Sequence, residues 1–240
     1  AFNGCAKLTS VTVPASVTSM GQYAFQNCTS LTTASVLANV AMLPIYTFDG
    51  CTSLKTVTMD GSSITTIGER VFNGCSQLVD ITLPSGLTTL GQYAFNDCVS
   101  LSLISLPATL TTLGNGVFDG CTGLISLEIP EGVSELPQSV FSGCTGMQSL
   151  YLPSTITTIH YSAFYNLNSL IDLHIQATTP PPFSYYSRAP QVSLFVPEAS
   201  ISAYQAADNW KDFGHIYAEL TNLATLDDGE YALLQQIYTS

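Results

Sequence analysis

The sequence has few charged residues and very few basic ones. Only 9% of its 240 residues are charged, and seventeen Asp and Glu outnumber five Lys and Arg, which gives a net charge of −12. Binding to nucleic acid or to an anionic membrane surface depends on a basic patch. The composition therefore argues against both classes of partner, and Ser, Thr, Asn, Gln and Tyr supply most of the polar surface.

The sequence also lacks a long hydrophobic run. The longest, from Val36 to Leu43, is broken by Asn39 and is far shorter than the roughly 20 residues that a membrane span needs. No membrane insertion is expected of this fragment, which begins in the middle of a repeat and is interpreted as part of a longer protein. A Ser/Thr-rich, acidic composition is typical of exported bacterial proteins and indicates an extracellular or cell-surface location.

A strict internal repeat runs through the chain. Eight phenylalanines recur about every 23 residues, a period in the range of repeat architectures, and seven of them are followed three positions later by a cysteine. The pairs are Phe2/Cys5, Phe25/Cys28, Phe48/Cys51, Phe72/Cys75, Phe95/Cys98, Phe118/Cys121 and Phe141/Cys144, and Phe164 has Leu167 in the Cys position. Such a period indicates a solenoid in which each unit buries its apolar face against its neighbours.

Within each repeat, alternating apolar residues predict a short strand. In one copy these are Leu101, Ile104 and Leu106, and Pro107 then ends the strand because proline has no N–H to donate. A second apolar segment ends at a glycine such as Gly91 and is expected on the convex side. The pattern predicts an α/β-type repeat solenoid: a curved array of about eight units with a parallel strand sheet and few regular helices.

The repeat motif resembles a known family. The run Gly91-Gln-Tyr-Ala-Phe-Asn-Asp-Cys98, followed by Leu101 and Leu106-Pro107, looks like the BspA-type (treponemal-type) leucine-rich repeats of bacterial surface proteins. The resemblance covers about residues 1–175, where Phe, Cys, Leu, Pro and Gly recur in phase. It implies a leucine-rich repeat fold and adhesion, through the array, to host matrix or plasma proteins or to other cells.

The end of the chain departs from the repeat. Residues 194–204 and 210–213 are similar to the C-terminal cap that follows such arrays, and Trp210 is expected to plug the last rung. A Pro-rich loop precedes this cap, Ser200–Asn209 is predicted to be helical, and Leu226–Tyr238 is predicted to form a second, amphipathic helix. The predicted organisation is a repeat array over 1–175, a cap with its Pro-rich loop over 176–220, and the start of a further segment or a helical tail over 221–240.

No pattern in the sequence indicates catalysis. The cysteines recur only once in each repeat, which excludes the C-x-x-C pairs of zinc and redox sites, and His160, His174 and His215 lie in no metal-binding motif. Side chains stacked at one repeat phase point in parallel, whereas a disulfide needs converging Cβ atoms. Seven buried free thiols are therefore predicted, with disulfides as the alternative, and no enzyme activity, metal or cofactor is expected.

Candidate binding residues lie at the solvent-facing strand positions. The first five repeats place hydroxyls there, at Thr12, Ser35, Thr58, Thr82 and Ser105, and the next three place Glu128, Tyr151 and His174. Asp172 lies two residues before His174. Aromatic residues with a flanking charge are typical of recognition surfaces, although a merely solvated face gives the same pattern. Tyr151, Tyr185 and Tyr186 are candidates for stacking on sugars.

Three functions follow from these features. The first is a non-catalytic adhesion module of an exported, cell-surface bacterial protein, which binds host extracellular or cell-surface proteins as a monomer. The second is a glycan-binding module that positions an enzyme or a transporter. The third is a structural spacer. Fold-level resemblance alone does not decide between them, because function depends on the side chains that the fold displays.

Overall fold

The repeats stack as the rungs of a parallel β-solenoid. The computed structural model describes residues 2–59, 63–184 and 191–219. We number the rungs by their phenylalanine, so that Phe2 begins rung one, Phe95 rung five and Phe118 rung six. The strands are β1 (Ser10–Val13), β2 (Thr33–Val36), β3 (Met42–Leu43), β4 (Thr56–Thr58), β5 (Thr66–Ile67), β6 (Asp80–Thr82), β7 (Thr89–Leu90), β8 (Thr112–Leu113), β9 (Ser126–Glu128), β10 (Glu135–Leu136), β11 (Ser149–Leu152), β12 (Thr158–Ile159), β13 (Asp172–Ile175), β14 (Ser193–Val196) and β15 (His215–Ala218).

Two faces of the solenoid carry these strands. The face with the longer strands, which we call the first face, has β1, β2, β4 and β6 in one sheet and β9, β11, β13, β14 and β15 in another. The second face has β3, β5, β7 and β8 in one sheet and β10 with β12 in another. All the strand pairs are parallel, so a repeat solenoid with parallel strands and few helices, as predicted, is confirmed.

Stacked phenylalanines form the centre of the core. Rings of neighbouring rungs, from Phe2 to Phe141, have centroids 5.2–6.1 Å apart. The seven cysteines are free, and the prediction of burial is confirmed for six of them. It is wrong for Cys5, which is exposed because rung one is covered by a neighbouring rung on one side only.

Rung five departs from the prediction. No strand forms over Leu101–Leu106, and residues 103–106 make no backbone hydrogen bond to either neighbouring rung in the described part of the chain. The sequence has adjacent apolar residues here, Leu103 and Ile104, so its alternation no longer fixes which side chains face the core. Leu103 lies at a solvent-facing repeat position and is 65% exposed, and the first face is divided into two sheets.

The residues after the array continue the same stack. Strands β14 and β15 extend the sheet of β13 beyond residue 175, whereas the domain boundaries themselves stay a prediction. The helix is shorter than predicted, since α1 spans Ile201–Ala206 and is followed by the extended residue Ala207. Trp210 is buried and donates its indole N–H to the Pro181 carbonyl at 2.7 Å. The predicted helix Leu226–Tyr238 lies outside the described residues.

Within the ranges that the structure describes, no helix has the length and apolar character that crossing a membrane requires.

Candidate binding surface

The first face presents hydroxyl groups over its N-terminal sheet. Thr12, Ser35, Thr58 and Thr82 lie in register on neighbouring strands, as the sequence predicts. Their side chains are half-buried or exposed, and none of the four makes a side-chain hydrogen bond or an ion pair within the described residues. This part of the face offers small polar groups and no large anchor for a partner.

The C-terminal sheet presents larger groups at the same repeat position. Tyr151 lies in register between Glu128 on β9 and His174 on β13, so the structure brings together the three residues that the sequence singles out. The Tyr151 and His174 rings are stacked, with centroids 4.3 Å apart and an interplanar angle of 14°. This separation is close to the spacing of neighbouring strands, which explains why in-register rings meet face to face.

Two aromatic residues that sequence reasoning missed extend this row. Phe195 pairs in register with His174, and Tyr217 pairs with Phe195. The ring centroids lie 4.5 Å apart for His174 and Phe195 and 5.4 Å apart for Phe195 and Tyr217. We call Tyr151, His174, Phe195 and Tyr217 the aromatic column.

The missed residues lie where the repeat period fails. The steps from His174 to Phe195 and from Phe195 to Tyr217 are both shorter than the repeat, so alignment at the repeat period does not reach them. A local signal was present, because Ser193-Leu-Phe-Val196 has the same alternation as Ser149-Leu-Tyr-Leu152. Strand alternation was therefore a better guide in the cap than the repeat length.

His174 is held from three sides. Tyr151 and Phe195 cover its two ring faces, and its Nδ1 lies 2.8 Å from Glu219 Oε2. Both side chains of this pair are largely buried, at 14% and 18% exposure. His174 is therefore fixed within the aromatic column and is less accessible than a solvent-facing position implies.

Asp172 lies in the neighbouring row of the first face. It pairs in register with Ser149 on β11 and Ser193 on β14 and is half-buried. Burial raises the pKa of the Asp172 carboxyl, and nearby His174 acts in the opposite direction. Tyr185 and Tyr186, the other predicted sugar-stacking residues, lie outside the described residues. Among the described residues, no three His, Cys, Asp or Glu side chains are grouped so that they could hold a metal ion.

The charged residues in the C-terminal half of the array are all acidic. No Lys or Arg occurs between residues 71 and 187, whereas seven Asp and Glu do. Glu128 is exposed and forms no hydrogen bond or ion pair within the part of the chain that the structure describes. The surface can therefore combine aromatic contact with attraction of a positively charged group.

Comparison with solved structures gives relatives among bacterial leucine-rich repeat proteins. A protein from Bacteroides ovatus superposes with a TM-score of 0.63 at 23% identity, over 88% of this chain and 64% of that one. The leucine-rich repeat protein TpLRR of T. pallidum superposes with a TM-score of 0.54 at 24% identity, over 85% of this chain and 81% of that one. At these identities the likeness shows the fold alone, and the chain spans less than two thirds of the Bacteroides ovatus protein.

The sequence itself has no match among curated proteins. It does match the profile of the BspA type leucine rich repeat region in six copies, over residues 1–100 and 46–171. These copies cover the rungs whose phenylalanines and cysteines form the core described above. The chain therefore belongs to the family of BspA-type leucine-rich repeat proteins.

Proposed function

We propose that this chain is a non-catalytic module of an exported bacterial cell-surface protein and that it binds host or cell-surface proteins. The observation that carries the proposal is the change along the first face, from a hydroxyl row to Glu128 and the aromatic column. Aromatic residues at the centre of a patch supply most of the energy in protein interfaces. Repeat solenoids bind partners through such extended sheet faces.

A binding assay with matched variants tests this proposal. The purified chain is immobilised and exposed to a panel of matrix and plasma glycoproteins and of bacterial surface proteins. For any partner found, we expect Glu128→Ala/Tyr151→Ala to weaken binding about thirtyfold or more, the loss that defines a hot spot. The control Thr58→Ala/Thr82→Ala changes the same row in the hydroxyl half and is expected to leave the affinity unchanged.

Two outcomes would contradict the proposal. Absence of saturable binding by the folded chain across the panel would remove the support for adhesion. Equal affinity of the parent and the Glu128→Ala/Tyr151→Ala variant would place the contact elsewhere on the array. Circular dichroism and thermal unfolding of each variant separate a local loss of binding from a loss of the fold.

Glycan binding is the second candidate, and one observation favours it. Rings that bind sugars need an uncovered face, whereas the rings within the aromatic column cover one another. Tyr161 and Tyr165 are 70% and 61% exposed, and neither stacks on another ring in the described part of the chain. If the module binds glycans, Tyr161→Ala/Tyr165→Ala is expected to abolish signals on a glycan array that Tyr151→Ala retains.

A further inference from the structure

A groove opens beside the first face where rung five forms no strand. Its volume is about 490 Å³, and its apolar lining comes from Ile104, Leu106, Ala108 and Pro130. Glu128 and Glu131 also line it. The groove therefore combines an apolar surface with two carboxylates in one concave site.

The apolar lining is exposed because of the break in the sheet. In rung six the corresponding residues Leu127 and Ile129 are each 2% exposed, whereas Ile104 and Leu106 in rung five are only partly buried. The backbone N–H and C=O groups of residues 103–106 also form no hydrogen bond with another described residue. An extended segment that lies along this stretch can bury the apolar surface and pair with these groups, which is how a strand adds to an incomplete sheet.

The charges of the groove restrict the chemistry of that segment. Glu128 forms no hydrogen bond within the described residues, and Glu131 accepts hydrogen bonds from the Ser154 amide and hydroxyl at 3.1 and 2.7 Å. A carboxylate has lone pairs for about four donors, so Glu131 keeps accepting capacity. Because no Lys or Arg lies between residues 71 and 187, nothing in these rungs neutralises the two carboxylates.

We propose that this groove, which we call the rung-five groove, binds an extended segment of a partner protein that alternates aliphatic residues with Lys or Arg. The proposal rests on the protein-binding function proposed above and specifies its partner. The aliphatic side chains pack on Ile104 and Leu106, and the basic side chains reach Glu128 and Glu131. Tyr151 pairs in register with Glu128, which lines the groove, so one partner can contact both.

Synthetic peptides test the chemistry without knowledge of the natural partner. The probes are three labelled, capped octapeptides: alternating Val-Lys, alternating Val-Glu and alternating Ser-Lys. Fluorescence anisotropy with the whole chain is expected to show the tightest binding for Val-Lys, weaker binding for Ser-Lys and none for Val-Glu. Binding of Val-Lys is expected to weaken as the NaCl concentration rises, because exposed ion pairs are screened by salt.

Three variants locate the binding site. Glu128→Gln/Glu131→Gln is expected to weaken Val-Lys binding about tenfold, roughly threefold for each exposed carboxylate. Ala108→Phe fills the groove without a change of charge and is expected to abolish binding. Glu135→Gln, on the second face, removes one carboxylate outside the groove and is expected to leave the affinity unchanged.

The results separate this inference from the proposed function. If Val-Lys does not bind, or if Glu135→Gln weakens its binding as much as Glu128→Gln/Glu131→Gln does, the rung-five groove is not the site. A protein partner that still depends on Tyr151 would then leave the proposed function standing. If the peptide binds in the groove but no protein partner is found in the panel, the adhesion proposal fails and the groove assignment holds.

Discussion

Each buried cysteine makes the same hydrogen bond to the rung before it. The thiols of Cys28, Cys51, Cys75, Cys98, Cys121 and Cys144 lie 3.0–3.3 Å from the carbonyl oxygen of the phenylalanine in the preceding rung. The sequence predicts these thiols as small apolar residues of the core. The structure adds a second role, because each S–H group donates a hydrogen bond to the phenylalanine carbonyl of the preceding rung.

Burial of the thiols makes stability depend on alkaline pH. Burial raises the pKa of Cys51 and of Cys144 to about 12 and holds the pKa of Cys98 well above its ordinary value. In the unfolded chain a thiol titrates near its ordinary pKa of about 8.5. Below that pH the thiols are neutral in both the folded and the unfolded chain, so their contribution to stability is fully present. Above it, the unfolded chain loses protons that the folded chain keeps, and the free energy of unfolding falls as the pH rises toward the folded pKa.

Replacing one buried thiol is expected to reduce this pH dependence. Between about pH 9 and pH 10.5, the free energy of unfolding of Cys98→Ser should fall less steeply with pH than that of the parent. The difference should be up to about 1.4 kcal/mol per pH unit, the contribution of one proton. The measurement is urea unfolding under reducing conditions, followed by Trp210 fluorescence. Cys5→Ser makes the same change at an exposed cysteine and serves as the control. Equal slopes for the parent and Cys98→Ser would show that this buried thiol is not one of the titrating groups.

Between rungs, the turns that join the two faces depend on close backbone contact. A Cβ atom added to Gly91 would lie 2.6 Å from the Gly68 carbonyl carbon and 2.7 Å from the Glu69 nitrogen. These are backbone atoms, which cannot rotate away as the end of a side chain can. The recurrence of glycine at this phase, seen in the sequence at positions 68, 91 and 114, thus reflects the distance between rungs.

Gly91→Ala is therefore expected to destabilise the array. Overpacking of this kind costs about 1–3 kcal/mol, since the two rungs must move apart to admit the methyl group. Gly86→Ala is the matched control, because nothing lies within 4 Å of a Cβ at that position. Its effect on the free energy of unfolding should stay within about 0.5 kcal/mol, as for other surface substitutions. The measurement is chemical unfolding at neutral pH, and equal stabilities of the two variants would contradict the close-contact argument.

A second turn position has a backbone conformation that the sequence did not predict. Tyr23, Tyr46, Arg70 and Tyr93 all have a positive φ, between 52° and 59°, where glycine is the usual residue. The Tyr23 and Tyr46 rings stack with centroids 5.0 Å apart, and the Arg70 guanidinium lies 5.2 Å from the Tyr93 ring centroid. Stacking and cation–π contacts offset the backbone strain at these positions. Local propensity gives no hint of this, because the compensation comes from the neighbouring rung.

The same reasoning explains which parts of the molecule could be predicted. The repeat period predicts the phenylalanine and cysteine core, because identical environments recur wherever the period holds. It also places Glu128, Tyr151 and His174 in one row. It fails at rung five, where two adjacent apolar residues leave the register weakly specified, and in the cap, where Phe195 and Tyr217 fall at other spacings. Contacts between different elements, such as the one between His174 and Glu219, have no sequence signature.

Rung five divides the whole array into two blocks. On the first face it contributes no strand between β6 and β9, and on the second face β8 of rung five does not pair with β10 of rung six. The blocks remain joined by the Phe95–Phe118 stack and by backbone hydrogen bonds such as that of the Asp97 amide with the Asp119 carbonyl. In a solenoid each rung is stabilised by its neighbours alone, so the rung with the fewest bonds is where local opening costs least.

Hydrogen exchange of the native chain measures this difference directly. Amides of residues 103–106 have no backbone partner among the described residues and are expected to exchange near their intrinsic rates. The corresponding residues 126–129, one repeat later, lie on β9 or bond to β11 through the Ile129 amide and the Tyr151 carbonyl at 2.9 Å. An opening free energy of about 3 kcal/mol in that strand slows exchange by roughly a hundredfold, so the two peptides should differ by at least this factor. Equal protection of the two segments would show that rung five pairs with its neighbours in solution, and the rung-five groove would then be closed. A difference confined to residues 103–106, with the flanking strands protected on both sides, would show a stable interruption in an otherwise intact array.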